Sequence, residues 1–143
     1  MYRILVTMFF FGFLIFPVTS TNVSSVENGC GILGNWRVTI VNVINENIII
    51  HVRSKDDDLG SHTLPYMGMY DWEFCDNSYT VFWSNFQWGS RFQSLNVYDH
   101  HIFTVCGKPG FGKQQCYWLV RPQGFYVGNR YPIGSWRFEK RWD

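Results

Sequence analysis

The sequence predicts an all-β fold, an antiparallel β-sandwich of about eight short strands stabilised by disulfides. Three observations carry that prediction. Apolar residues recur with period two in short runs, separated by Gly, Pro, Asn and Asp, and no segment shows a 3.6-residue apolar period. Aromatic residues, which favour strands and large buried contacts, make up 20% of the chain. Four cysteines, Cys30, Cys75, Cys106 and Cys116, sit in a short chain. A small barrel is the alternative arrangement of such strands.

The first twenty residues stand apart from this pattern. Met1-Tyr2-Arg3 is short and basic, Ile4 to Pro17 is almost wholly apolar, and Val18-Thr19-Ser20 has the form of a cleavage site. That layout predicts a secretory signal peptide over residues 1–20, removed after Ser20. The apolar run is short for a bilayer span of about 20 residues, so no stable membrane insertion is expected after cleavage. The chain carries a formal net charge of +1. Losing Arg3 with the leader makes it neutral, which gives no field for nucleic acid and no sign of disorder. An even cysteine count in a small secreted chain implies a disulfide framework. Four cysteines allow three connectivities. Asn22-Val23-Ser24 is a candidate glycosylation sequon.

Residues 21–35 read as a polar lead and residues 36–143 as a single sandwich domain. In the first strand Trp36, Val38, Ile40, Asn42 and Ile44 share one face, with Arg37, Thr39, Val41 and Val43 on the other. A turn at Asn45-Glu46 leads to Asn47–Arg53, with Ile48, Ile50 and Val52 on one face, and these two strands are expected to pair as a hairpin. Asp56 to Gly68 reads as a loop. Strands follow at Met69–Cys75 and Tyr79–Asn85, then a connector at Phe86–Ser90. Arg91–Tyr98 is expected to bury Phe92, Leu95 and Val97. After a break at Asp99, Ile102–Val105, Gln115–Val120, Phe125–Val127 and about Ser135–Phe138 complete the set. Arg137 to Trp142 is locally basic and reads as a solvated tail.

Few residues offer chemistry. Gly107 to Lys113 has the spacing of a phosphate-binding loop up to its lysine, but Gln114 and a strand follow where that loop needs Ser or Thr and a helix. A hairpin tip between Cys106 and Cys116 is the better reading. His51 and His62 flank Asp56-Asp57-Asp58, and a small hydrolase or nuclease could use them in acid–base work. His100 and His101 would point to opposite faces of a strand. No zinc spacing, EF-hand loop or nucleophile elbow is present. The sequence therefore assigns no catalytic residue, metal or cofactor. Trp88, Phe111, Tyr131 and Trp142 could form a surface for sugar, the basis of a carbohydrate-binding alternative.

In order along the chain stand Val38-Thr39-Ile40-Val41-Asn42, His51-Val52-Arg53-Ser54-Lys55-Asp56-Asp57-Asp58-Leu59-Gly60, Trp72-Glu73-Phe74, Phe82-Trp83-Ser84, Cys106, Cys116-Tyr117-Trp118 and Gly124-Phe125-Tyr126. Together these resemble the plant self-incompatibility protein family, also called S-protein homologues, from about Trp36 to Trp142. Ser54 to Gly60 is the specific signature. The resemblance implies a small secreted β-sandwich without enzymatic activity. Its best understood members are stigma-secreted ligands that signal incompatibility to pollen. It thus implies an extracellular recognition or signalling protein that acts by binding a cell-surface protein receptor. The interstrand loops, Lys55–Met67, Asp76–Ser78, Phe86–Ser90 and Lys108–Lys113, would set specificity.

Family members usually carry Cys at the positions of Val52 and Ser84, and the loss of both together is what losing one bridge would look like. Against that pattern Cys30 and Cys75 are additional. The resemblance implies pairing of Cys30 with Cys75 and of Cys106 with Cys116. It also implies a structural role for Asp56–Asp58: aspartates that bond backbone N–H groups in a turn, with Arg53 and Lys55 offsetting their charge.

Overall fold

A computed structural model describes residues 29–109 and 112–143. The leader, its cleavage site, the sequon at Asn22 and the aromatic Phe111 lie outside the described residues. Nine strands and one helix form two packed sheets. A five-stranded sheet has the order β4-β1-β7-β8-β9 and a four-stranded sheet the order β3-β2-β5-β6. In chain order the elements are β1 (Asn35–Asn42), β2 (Ile48–Ser54), β3 (Asp58–Leu64), β4 (Met69–Cys75), β5 (Phe82–Trp88), β6 (Arg91–Tyr98), α1 (His100–Cys106), β7 (Gln114–Arg121), β8 (Gly124–Gly128) and β9 (Arg137–Lys140).

β1 and β2 do not form the expected hairpin. β1 lies between β4, antiparallel, and β7, parallel, while β2 lies between β3 and β5 in the other sheet. Burial on both faces of β1 explains its central place: Val38 and Ile40 are buried, and so are Thr39 and Val41 behind them. Asn42 then steers the chain across to the second sheet. Fully buried, it donates from Nδ2 to the carbonyls of Glu46 and Leu64 and accepts from the Ile44 N–H. Its backbone also exchanges hydrogen bonds with Met67 and Gly68 of the β3–β4 turn. A buried amide with all these groups satisfied fixes the crossover in one conformation.

Four other expectations along the chain change. The Asp56–Gly68 segment contains β3, a polar edge strand whose few apolar residues hide its alternation. Phe86 to Trp88 belong to β5, not to a connector, because Phe82, Ser84 and Phe86 alternate inward and are buried. Phe92 faces solvent, whereas Gln93, Val97 and Tyr98 of the same strand are buried. The segment after Asp99 is helical. The Asp99 side chain accepts from the Ile102 N–H at 2.9 Å, and Ile102 and Cys106, four apart, face inward. A helix of two turns is too short to reveal its period in the sequence.

Aromatic pairs lock the sheets together. Phe86 of β5 meets Phe125 of β8 with ring centroids 4.8 Å apart, and Trp36 of β1 meets Tyr98 of β6 at 5.1 Å. Each fully buried ring of this kind contributes on the order of 2–3 kcal/mol. Arg137 to Trp142 is not a solvated tail. Its first four residues form β9, and the Trp142 indole N–H donates to the Arg121 carbonyl at 2.8 Å with its ring 4.7 Å from Phe125. Gln93 Nε2 reaches the Arg141 carbonyl and the Asp143 carboxylate, so the C-terminus closes the edge beside β6. Cys30 is bonded to Cys75 and Cys106 to Cys116. Val52 and Ser84 sit directly opposite each other on β2 and β5, both fully buried.

Candidate functional site

The strand registers sort the connections into two ends. Asn35 pairs with Cys75, Trp36 with Gln114 and Tyr117 with Gly128 in one sheet. Ser54 pairs with Phe82 and Phe82 with Tyr98 in the other. The β2–β3 turn, the β4–β5 loop, α1 with the segment after it, and the β8–β9 connection therefore gather at one end. Both disulfides lie there. The opposite end carries the short turns at residues 43–47, 65–68, 89–90 and 122–123 together with the C-terminal residues 141–143.

The signature stretch forms a tight hairpin at the stapled end. Ser54 is its organiser: its backbone N–H donates to the Asp57 carbonyl, and its hydroxyl accepts from the N–H groups of Asp56 and Asp57 at 3.3 and 3.0 Å. Leu59 and Gly60 together oppose the single Val52, a bulge that Gly60 makes possible with φ 79°. Asp58 holds that bulge. Its Oδ1 accepts the Gly60 N–H at 2.9 Å and lies 2.6 Å from His51 Nε2, while Arg53 Nε is 3.8 Å from Oδ2. The His51 contact first, and then the Gly60 N–H, hold the Asp58 carboxyl below its usual value. The structural duty implied for all three aspartates thus falls on Asp58. The carboxylates of Asp56 and Asp57 are exposed and have no hydrogen-bond or ionic partner among the described residues, and neither has the Lys55 ammonium.

The histidines are engaged in structure. Arg53 lies against both ring nitrogens of His51 at 3.0 Å. His62 bonds the Leu59 carbonyl at 2.8 Å and stacks on Tyr70 with centroids 3.9 Å apart, bridging the edges of the two sheets. His101 contacts Glu139 at 3.2 Å, and His100 stacks on Phe103. His51 and Asp58 are the one expected acid–base pair the fold brings together, and the pair closes the bulge. Among the described residues no group of three or more His, Cys, Asp and Glu is placed to hold a metal. The glycine-rich segment opens β7, and Gln114 clamps its base by bonding both the N–H and the carbonyl of Lys108.

Beside the hairpin stands a loop that sequence reasoning undervalued. Residues 76–81 join β4 to β5. Asp76 is buried; it accepts from the buried Tyr98 hydroxyl at 2.8 Å and from the Ser78 N–H. That hydrogen bond and, above all, burial push the Tyr98 phenol well up. The Asn77 side chain accepts from the Tyr79 N–H and from the Thr80 hydroxyl. Ser78 adopts φ 71°, and Tyr79 is 89% exposed. The run Asp-Asn-Ser carried the signal, since each residue type caps its own turn. A groove between this loop and the hairpin is lined by Lys55, Asp56, Asp57, Asn77, Tyr79 and Val81 and floored by Phe74 and Phe82. Nearby, Glu73 binds Lys113 at 2.8 Å and Arg37, and these two cations hold its carboxyl below the usual range.

Of the aromatics expected to form a sugar surface, Trp88 and Trp142 pack against each other at 5.7 Å and onto the core. Tyr131 stacks on Tyr117 at the stapled end.

Fold and site together define a small disulfide-bonded β-sandwich that presents a braced loop end. The chain belongs to the plant self-incompatibility protein S1 family, whose model matches residues 37–142. It is similar to S-protein homolog 5 of Arabidopsis thaliana, 34% identical over 96 residues, spanning 62% of this chain and 70% of that one. It is also similar to S-protein homolog 1 of Arabidopsis thaliana, 31% identical over 103 residues, or 68% of this chain and 65% of the relative. A solved structure shares the fold with TM-score 0.54 and 20% identity, over 77% of this chain and 98% of that one. Its title describes self-incompatibility protein homologues as a widespread family of small, highly stable, secreted proteins from plants.

Proposed function

We propose that this chain is a secreted recognition protein that binds a cell-surface protein through the stapled end of its sandwich and has no catalytic activity. The observation that carries this is the exposure of Tyr79 on a loop braced by Asp76, Asn77 and Thr80. A large aromatic side chain displayed from a loop whose backbone is already fixed costs little loop ordering on binding and suits the centre of an interface. The carboxylates of Asp56 and Asp57 and the Lys55 ammonium around it can steer and select a charged partner. Secretion is supported by the signal-peptide layout of residues 1–20, by the two disulfides and by the wording of the neighbour's title. Among the described residues no helix is long and apolar enough to cross a membrane.

The test is binding of the labelled, secreted protein to intact cells of the plant of origin. Saturable binding that unlabelled protein competes, and that mild protease treatment of the cells abolishes, supports a protein receptor. Binding that survives protease, or that never saturates, contradicts it.

A further inference from the structure

A second surface at the stapled end has different chemistry. Two open grooves of about 920 and 560 Å³ run along the two sides of the β8–β9 connection. They share Lys108, Pro109, Asn129, Arg130 and Ile133 in their linings, so they adjoin one another and together make up one track along that connection. Lys113 lines one side and Arg137 the other, and among the described residues no carboxylate lines either. Lys113 and Arg137 are paired with Glu73 and Glu139. Lys108 and Arg130 are exposed and have no acidic partner among the described residues. Amide groups of Asn129 and Gln115 line the grooves together with aromatic rings, and the Gln115 Oε1 accepts the Tyr117 hydroxyl. Tyr131 stacks on Tyr117 in one groove, and Trp136 lies in the other.

The track is preformed by close packing. A Cβ on Gly128 would meet the Ser135 carbonyl at 2.8 Å and the Trp136 ring at 3.0 Å, so the connection lies directly on β8. A Cβ on Gly134 would meet the Arg130 carbonyl at 2.8 Å.

We propose that this track binds an acidic polysaccharide, a strand of sugars bearing carboxylate groups. A groove open along its length fits a polymer rather than a small enclosed ligand. Aromatic faces suit the apolar faces of sugar rings, and the amides of Asn129 and Gln115 suit their hydroxyls. The two unpaired cations take the carboxylates. A nucleic acid fits less well, because it needs a strong basic field. Here the whole chain is only +1, and two of the four groove cations are already neutralised. The carbohydrate-binding alternative of the sequence thus moves away from Trp88 and Trp142 and keeps Tyr131.

The test uses the full secreted protein and a defined oligogalacturonate, titrated at low ionic strength against its methyl ester of equal length and an oligothymidylate of equal charge. The acid oligomer is expected to bind about tenfold more tightly than the ester, as two added charge contacts would give. The double variant Lys108→Gln/Arg130→Gln is expected to lose about that factor. Tyr131→Ala should weaken both sugars alike. Tyr79→Ala, on the neighbouring protein-binding surface, should leave sugar binding unchanged, so the two proposals fail separately. Absence of binding by the acid oligomer, equal binding of its ester, or equally tight binding of the oligothymidylate would overturn the proposal. The last two comparisons use the parent protein and do not depend on any variant folding.

Discussion

At the stapled end of the sandwich, bridges from Cys30 to Cys75 and from Cys106 to Cys116 anchor a lead segment, a six-residue loop, a helix and a glycine-rich connection. At the opposite end four short turns suffice, with no bridge among them, and Asn42 ties two of those turns to each other. The difference follows from what each end displays. Long polar connections bury little apolar surface, so cross-links and side-chain caps must replace packing. Short turns between buried strand ends can be fixed by satisfying a few backbone groups. A protein that presents loops to a partner needs the first arrangement at one end only.

The largest effect should come from replacing Cys30 and Cys75 together by serine. Their sequence separation is 45, and the lost cross-link is expected to cost on the order of 4 kcal/mol. Hydrogen exchange should rise in residues 76–81 and leave residues 65–68 protected. An equal rise at both ends would break the comparison. Next comes Asn42→Ala, which strands the buried carbonyl of Leu64 and the part-buried carbonyl of Glu46 and is expected to cost about 3 kcal/mol. Urea unfolding should show a lower midpoint with an unchanged slope, because both sheets lose the crossover together. Tyr98→Phe leaves the buried Asp76 without one donor, a loss of about 1–2 kcal/mol. It should also loosen the 76–81 loop, read as a raised backbone mobility of those residues by NMR.

The smallest effects concern the exposed carboxylates. Asp58→Ala should lower the melting temperature measurably, whereas Asp57→Ala should not. The same distinction appears on acidification. Asp58 and Glu73 have carboxyls held below their ordinary values by His51 and by Lys113 with Arg37. The unfolded chain therefore binds protons before the folded one does. Their contribution is complete above the ordinary carboxylate range and is lost as pH falls through the depressed values. Melting curves taken downward from pH 5 should show this loss in the parent and a shallower one in Asp58→Ala.

Much of this was legible in the residues. Strand positions followed from alternation at Trp36–Ile40, Ile48–Val52 and Met69–Cys75, because each has one clearly apolar face. Pairing was less legible. A two-residue turn signal between two apolar strands favours a hairpin locally, and only the long-range partnership of β1 with β7 shows why the chain crosses instead. β3 shows no apolar alternation because Gly60 and His62 occupy the face that ends in the buried Leu64, and an edge strand needs little more. The signature stretch was recognisable as a turn, but which aspartate supports it depends on the bulge at Gly60, and no periodicity encodes that. Val52 and Ser84, singled out by the resemblance, are direct cross-strand neighbours and form a packed pair in the core.

In the proposed function, recognition belongs to the stapled end of the sandwich and the opposite end serves structure. The direct measurement compares two exposed tyrosines, Tyr79 on the braced loop and Tyr66 on the opposite turn, 89% and 54% exposed. Each is changed to Ala, and saturable binding to intact cells is measured alongside the melting temperature. Tyr79→Ala should reduce binding about tenfold or more, the scale of an interface hot spot, with an unaltered melting temperature, while Tyr66→Ala binds as the parent does. Loss of binding in Tyr66→Ala with full binding by Tyr79→Ala would contradict the account.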